Sequence, residues 1–325
     1  MRNFAMKNYH GTASRNRVFI SILTAIIVFS FPQALIADGT GSTTAGFLCL
    51  PIGGKAAAMG EMHAALNRDP FGWLSNPAAT YGAEGHSIGI FHSQWILDTY
   101  YDNVFYREEV NRFLKVGIAF TYFSSPQIQG FDQTGTPTNK FDDNTFRGIV
   151  GLTVEPIKGL SAGLNVNYFQ EKLAQWTAKG YSADIGASYS LPVIPLSFGV
   201  VVQNLGPRIK FLSVEEELPL TVVAGAGYSF PAIAGLVHVS IAADMVKPRY
   251  EDSHPVFGAE VGIAKTLFLR AGYSGDESRA SDGFTAGGGI NINGKATLDY
   301  AWTSYGDLGS FHRVSLYLSI PDMKP

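Results

Sequence analysis

A regular alternation of bulky apolar residues with small or polar ones limits what this chain can fold into. It dominates the sequence between residues 84 and 320. In the stretch 114–122, for example, bulky apolar residues alternate with Lys115, Gly117, Ala119 and Thr121. Because successive side chains of a β-strand point to opposite faces, this period of two predicts strands with one apolar face and one small or polar face.

Two architectures fit such strands. A soluble sandwich or barrel buries the apolar face, whereas a transmembrane barrel turns that face to lipid and its polar face to the lumen. The segments here are long enough for a tilted membrane strand of about 9–11 residues, while soluble strands average about 5–6. The non-apolar face is mostly Gly, Ala, Ser, Thr and Asn, and aromatic residues gather near segment ends. We therefore predict an all-β fold, a transmembrane antiparallel β-barrel.

The alternation divides into fourteen segments, and an even number is expected when both ends of a barrel lie on the periplasmic side. The predicted strands are 85–97, 101–110, 112–124, 146–157, 160–171, 177–190, 196–205, 218–229, 235–247, 254–265, 267–275, 282–292, 295–304 and 310–320. The polar connections 126–145, 206–217 and 276–281 are predicted to be loops on the rims.

Composition narrows the class of function. Charged residues make up 16% of the chain, aromatic residues 13%, and the formal net charge is −3. Disordered chains are poor in aromatic residues, and nucleic-acid-binding chains carry a basic excess, so neither class fits. The single cysteine, Cys49, excludes an internal disulfide and a cysteine-clustered metal site, and we expect it to be a small buried apolar residue.

The N-terminus carries an export signal. Basic residues up to Arg17 precede the apolar run 18–31, and Ala34 and Ala37 follow it. This order predicts a secretory signal peptide over residues 1–37. A retained membrane anchor is the weaker alternative because a span needs about 20 apolar residues. Export together with a barrel predicts the outer membrane of a Gram-negative-type bacterium, with outer-membrane lipids around the wall.

Residues 38–83 lack the period of two. The stretch 53–66 is rich in Ala and Met, which favours short helical turns, and turn signals follow at Asn67–Pro70 and Ser75–Ala78. We predict that this segment plugs the lumen of a barrel formed by residues 84–320, with a short tail at 321–325. The alternative is a periplasmic flap outside the lumen.

Charged residues on the small-residue face are predicted to point into the lumen, since an unpaired charge in lipid costs several kcal/mol. These residues are Lys115, Arg147, Glu155, Asp184, Asp244, Glu260, Arg270, Lys295, Asp299 and Arg313. They could form ion pairs that hold the plug and brace the wall, or line a polar path for a solute beside the plug. The first interpretation is favoured.

An enzyme is not expected. His238, Ser240 and Asp244 share one strand face, but at about 3.3 Å per residue the outer two lie about 20 Å apart, too far for a catalytic triad. No Gly-x-Ser-x-Gly or His-Glu-x-x-His motif occurs. We assign no catalytic residue, cofactor or metal ion.

Short motifs in the same order along the chain carry a family resemblance. Residues 46–48, 51–60 and Asn76-Pro77-Ala78 resemble the start of the PorV/PorQ family of outer-membrane proteins, which is related to the FadL fatty-acid transporters. Residues 203–211 with 218–220, and 269–273, resemble the mid-barrel motifs of that family. Residues 299–301 with 306–313 resemble its C-terminal hairpin.

The resemblance implies a FadL-like barrel of fourteen strands with an N-terminal plug. It implies that Asn76, Pro77 and Ala78, with Lys55 and Met59 of the earlier motif, belong to a plug that shifts to open a path. Proline fixes φ and biases the preceding residue to an extended conformation, so Asn76-Pro77-Ala78 can make a rigid corner.

Two functions follow from the resemblance. The first is docking in a type IX-like secretion system, with secreted proteins or secretion-machinery subunits as partners. The alternative is passive transport of a hydrophobic small molecule such as a long-chain fatty acid. The docking role needs a large apolar patch on one rim, whereas transport needs an apolar pocket continuous with the plug.

Overall fold

The alternating segments form the wall of a closed antiparallel barrel of fourteen strands. The computed structural model describes residues 43–65, 69–79, 85–95, 98–211, 214–276, 283–306 and 309–320. The predicted signal peptide and the tail at 321–325 lie outside the described residues. The predicted fold class, a transmembrane antiparallel barrel of fourteen strands, is confirmed.

Eighteen strands are described in chain order. They are β1 (His86–Gln94), β2 (Tyr100–Asn111), β3 (Leu114–Ser124), β4 (Ile128–Phe131), β5 (Pro137–Phe141), β6 (Asp143–Ile157), β7 (Leu160–Leu173), β8 (Trp176–Ser190), β9 (Leu196–Leu205), β10 (Ile209–Phe211), β11 (Val214–Glu216), β12 (Thr221–Ser229), β13 (Val237–Pro248), β14 (His254–Ile263), β15 (Leu267–Ser274), β16 (Phe284–Ile292), β17 (Ala296–Ser304) and β18 (Ser310–Ile320). All except β4, β5, β10 and β11 belong to the wall.

Closure comes from β1, which pairs with β2 on one side and with β18 on the other. Ile90, in the middle of β1, lies opposite Val104 and Leu316. All three side chains point outward, while their strand neighbours point into the barrel. A continuous apolar outer surface with a smaller, more polar inner face is the pattern of a membrane barrel.

The two rims differ in the length of their connections. On one rim the strands are joined by short turns at 112–113, 158–159, 191–195, 230–236, 264–266 and 293–295. On the other rim, the connections include the longer loops 125–142, 206–220 and 275–283. Membrane barrels have short periplasmic turns and longer extracellular loops, so we orient the long-loop rim outward.

Two of the predicted rim loops contain small hairpins. Strands β4 and β5 pair with each other, as do β10 and β11. Asp132 stabilises the first hairpin, because its carboxylate accepts the backbone N–H groups of Thr134 and Thr136 at 2.9 Å. These segments are too short and too polar for alternation to identify them as strands.

The chain preceding the wall runs through the barrel interior. Thr43 pairs with Glu217 on the long-loop rim, and Ala79 contacts Arg107 near the short-turn end of β2. Between them lie a 3₁₀ turn at Gly46–Cys49, the helix α1 (Gly54–Ala58) and a second 3₁₀ turn at Gly72–Leu74. We call the described residues 43–65 and 69–79 the plug. No helix within the described ranges is long and apolar enough to span a membrane.

Two sequence expectations need correction. Lys295 does not point into the lumen: it is exposed in the turn before β17, because that strand begins only at Ala296. Cys49 is half-buried in the plug rather than fully buried. Glu155 keeps an inner-face position in the alternation of β6, half-buried at the short-turn end, where its carboxylate accepts the N–H of Gly159 at 3.1 Å.

The outward apolar surface generates a direct test. Val150, halfway along β6, is 62% exposed on that surface. We expect Val150→Lys to lower the unfolding free energy of the folded barrel in lipid vesicles by about 2–4 kcal/mol, since a lysine at the bilayer midplane is desolvated. Urea titration followed by tryptophan fluorescence measures the change.

The control places the same residue type at the edge of the wall. Thr177 is exposed one residue from the long-loop end of β8, so Thr177→Lys should cost at most about 1 kcal/mol. Equal effects of the two substitutions would contradict the assignment of the outer surface to lipid.

Candidate functional site

Polar wall side chains satisfy the backbone of the plug. The Asp244 carboxylate on β13 accepts the backbone N–H groups of His63 and Ala64 at 2.8 Å and that of Ala65 at 3.0 Å. A buried backbone N–H without a partner costs about 1–3 kcal/mol. One wall carboxylate therefore fixes three consecutive residues of the plug, in a stretch without regular secondary structure.

Ion pairs hold the same part of the plug. The Lys55 Nζ of α1 lies 3.1 Å from Glu260 of β14, and Glu61 lies 2.7 Å from Arg313 of β18. Arg270 of β15 lies 2.6 Å from both Glu260 and Asp299. All of these side chains are nearly inaccessible, so the charges compensate one another inside the barrel.

The remaining predicted inward charges brace the wall. Arg147 lies 3.6 Å from Asp184, and both contact Asn167 between them. Lys115 lies 3.5 Å from Glu109. The structure thus brings Asp244, Glu260 and Arg313 into contact with the plug, with Arg270 and Asp299 beside them, while Lys115, Arg147 and Asp184 pair within the wall.

Asn76-Pro77-Ala78 forms a tight corner against β6 and β7. The Asn76 Oδ1 accepts the backbone N–H of Ala78 at 3.0 Å, which closes a local turn. The Thr153 hydroxyl donates to the Pro77 carbonyl at 2.5 Å, and the Ser161 hydroxyl donates to the Ala78 carbonyl at 2.7 Å. The corner is therefore anchored to the wall through its backbone carbonyls.

Glycines on the inner face allow the plug to approach the wall closely. A Cβ at Gly163 would lie 2.2 Å from the Pro77 carbonyl, and one at Gly272 would lie 2.1 Å from the Gly60 nitrogen. A Cβ at Gly258 would lie 2.7 Å from the Cβ of Met59. Our sequence reasoning did not identify these contacts. The available signal was glycine on the small-residue face two positions from a predicted inward charge, as at Gly258 and Gly272.

An aromatic cluster fixes the second half of the plug. The Trp73 ring packs edge-on against Phe105, with ring centroids 5.7 Å apart, and Phe71 packs against the same ring at 4.9 Å. Asn165 of β7 donates to the Trp73 carbonyl at 2.8 Å. The polar contacts of residues 55–65 and this aromatic cluster therefore secure two separate parts of the plug.

A cavity of about 220 Å³ lies between plug and wall at the long-loop end. Its apolar lining includes Val246 and Val256, and its polar lining includes His63, Gln203 and His254. Residues of the 249–253 loop border its mouth, where Glu217 binds Arg249 and Tyr250. We call this space the outer cavity.

Burial shifts the pKa values of two ionisable side chains of the plug. Desolvation lowers the pKa of His63 to about 4, and the nearby His254 adds to the effect, so His63 is neutral at physiological pH. Desolvation raises the pKa of Asp69 to about 6, although Lys55 opposes the shift. Among the described residues, no group of three or more His, Cys, Asp or Glu side chains is arranged to hold a metal ion.

Solved structures with a similar fold are known. No family model matches the chain, and no curated protein matches it. Among solved structures it is similar to the CymD monoaromatic hydrocarbon channel, with a TM-score of 0.59 and 13% identity over 84% of this chain and 99% of the other.

The structure is also similar to the toluene transporter TodX of Pseudomonas putida, with a TM-score of 0.57 and 12% identity over 83% of this chain and 98% of the other. For a FadL homologue of Pseudomonas aeruginosa the TM-score is 0.52 and the identity is 9%, over 83% of this chain and 99% of the other. This chain has the fold of the FadL-type barrels. Because the sequence identities are this low, the similarity of this chain to the FadL-type barrels establishes its architecture alone.

The close approach at Gly272 generates a test of how the plug is seated. We expect Gly272→Ala to displace residues 59–60, because the new methyl group meets backbone atoms that cannot rotate away. Hydrogen exchange of the 54–65 segment should accelerate, consistent with overpacking of about 1–3 kcal/mol.

The matched control is Gly148→Ala. Gly148 lies on the outer face of β6, where a Cβ would meet only the Phe146 ring at an ordinary 3.8 Å. Unchanged exchange in Gly272→Ala, or equal acceleration in both variants, would show that the plug does not depend on this contact.

Proposed function

We propose that this chain is a passive transporter that takes hydrophobic small molecules through the outer membrane of a Gram-negative-type bacterium. The observation that carries the proposal is the outer cavity: a partly apolar space between plug and wall at the outward rim. It provides a place for a solute to enter before it passes the plug. The predicted signal peptide is consistent with export to that membrane.

The plug makes transport a gated process. In the structure, contacts from Asp244, Glu260 and Arg313 hold residues 55–65 across the barrel interior. A solute larger than water would pass only if this segment moved. Polar contacts suit such a movement, because a displaced carboxylate or N–H group can bind water in the lumen instead. Lys55 and Met59, which lie in the moving segment, are then gating residues.

The anchored corner limits the movement. Asn76, Pro77 and Ala78 are fixed to β6 and β7 by backbone carbonyls and by the close approach at Gly163. We propose that this corner is a fixed hinge point and that residues 54–65 move relative to it. The similarity of the fold to CymD, a monoaromatic hydrocarbon channel, and to TodX, a toluene transporter, supports a small apolar solute.

A disulfide tether tests the proposal. The Cβ that Gly258→Cys would add lies 2.7 Å from the Cβ of Met59, so a small shift brings a Met59→Cys partner to disulfide distance. Both substitutions are made in a Cys49→Ser chain, which otherwise has no cysteine. Toluene uptake is then measured in proteoliposomes with and without reductant.

We expect uptake by the Cys49→Ser chain, at least tenfold slower uptake by the oxidised tethered chain, and recovery on reduction. Full uptake through the oxidised tether would show that the solute does not pass this side of the plug. No uptake above empty vesicles by the untethered chain would contradict transport itself.

Docking of secreted proteins is the second candidate function, and it is the one that the PorV/PorQ resemblance placed first. One structural observation favours it: the β4–β5 hairpin on the outward rim exposes Ile128 and Phe131, the latter by 62%. Such a hairpin could contact a protein partner. Transport has the stronger support, since the outer cavity and the similarity of the fold to CymD and TodX both favour it.

A further inference from the structure

An unpartnered histidine faces the outer cavity. His254, the first residue of β14, is only 7% exposed. Its imidazole makes no hydrogen bond or ion pair with any residue in the described part of the chain, and it lines the cavity. Because no described protein group uses its ring nitrogens, they are available to hydrogen-bond a ligand in the cavity.

The lining around His254 contains both polar and apolar groups. The Nε2 of Gln203, which lies 3.4 Å from the Nδ1 of His63, contributes polar surface. Val246 and Val256, both buried in the wall, contribute apolar surface. A ligand seated here would therefore meet both hydrogen-bonding groups and hydrocarbon.

The cavity volume limits the size of that ligand. A dry cavity of about 150 Å³ binds benzene, and pockets for drug-sized molecules measure about 300–1,000 Å³. At about 220 Å³, the outer cavity accommodates a single substituted ring and is too small for a long alkyl chain.

We propose that the outer cavity binds a single-ring, uncharged molecule that carries a hydroxyl group, of the phenol class, with the hydroxyl hydrogen-bonded to His254. This inference rests on the proposed function only for the route by which the molecule would continue inward. It narrows the solute from hydrophobic small molecules in general to amphipathic ones.

The chemistry of the imidazole supports a hydroxyl. A neutral imidazole has one donor and one acceptor nitrogen, and a hydroxyl can serve either. A plain hydrocarbon ring of the same size would displace water from His254 and leave the ring unpaired. Sites built to hydrogen-bond a ligand hydroxyl discriminate strongly against analogues that lack it.

Equilibrium binding to the purified full-length chain in detergent tests the proposal. Phenol, toluene and palmitate are titrated calorimetrically at one fixed pH. We expect phenol to bind at least fivefold more tightly than toluene, and palmitate not to compete for the site. His254→Phe, which keeps the ring volume, should weaken phenol binding about fivefold or more and leave toluene binding unchanged.

Two controls separate the site from general effects. His312→Phe replaces an exposed histidine on the outer face of β18 and should leave both affinities unchanged. Val246→Trp should fill the cavity and abolish binding of both rings, whereas Val150→Trp on the lipid face should not. Heat-dependent migration of each variant in gels confirms that the barrel is folded.

Each outcome decides a separate point. Phenol binding that survives His254→Phe, or toluene binding as tight as phenol binding in the unaltered chain, would overturn this inference. Phenol binding that depends on His254, without phenol uptake into proteoliposomes, would uphold it and contradict transport. Toluene uptake without phenol binding would do the reverse.

Discussion

The structure depends on how the wall satisfies the backbone of a plug that has almost no regular secondary structure. Within the described plug, only Gly54–Ala58 is α-helical, so most buried N–H and C=O groups need partners from outside the segment. Wall side chains supply them: Asp244 accepts three N–H groups, and Ser161 donates to a carbonyl. Inward polar residues that resemble a pore lining therefore act first as plug ligands.

Two further properties follow from this arrangement. Contact between the plug backbone and the wall requires the two to approach closely, which explains why positions 163 and 272 on the inner face are occupied by glycine. The same contacts are polar and can be exchanged for water when the plug shifts. Met59 and Met62 of this segment also pack in an apolar cluster with wall residues such as Val223, so a shift must displace those contacts as well. The outer cavity lies beside this polar segment and away from the aromatic cluster of Trp73, which is better suited to remain fixed.

Much of the wall could be predicted from sequence, because alternation is a local property. The bounds of β9 and β18 agree with the prediction, and the inward orientation of Asp244 and Arg270 follows from the same period. The prediction for Lys295 was wrong because this residue lies in the turn before the strand, where alternation no longer determines the direction of a side chain. The path of the plug was beyond prediction, because Lys55 meets Glu260 only through the fold. Alternation places Gly258 and Gly272 on the inner face, but it does not say which plug residues approach them, and it does not place His254 at a cavity.

Hydrogen exchange at His63, Ala64 and Ala65 tests most directly whether wall side chains hold the plug. In the unaltered chain these amides should be among the slowest of the plug. In Asp244→Asn, which keeps the size of the side chain but removes its charge, they should exchange at least tenfold faster, whereas Asp132→Asn in the exposed hairpin should leave them unchanged. Amides that exchange equally in all three proteins would contradict this role of the wall.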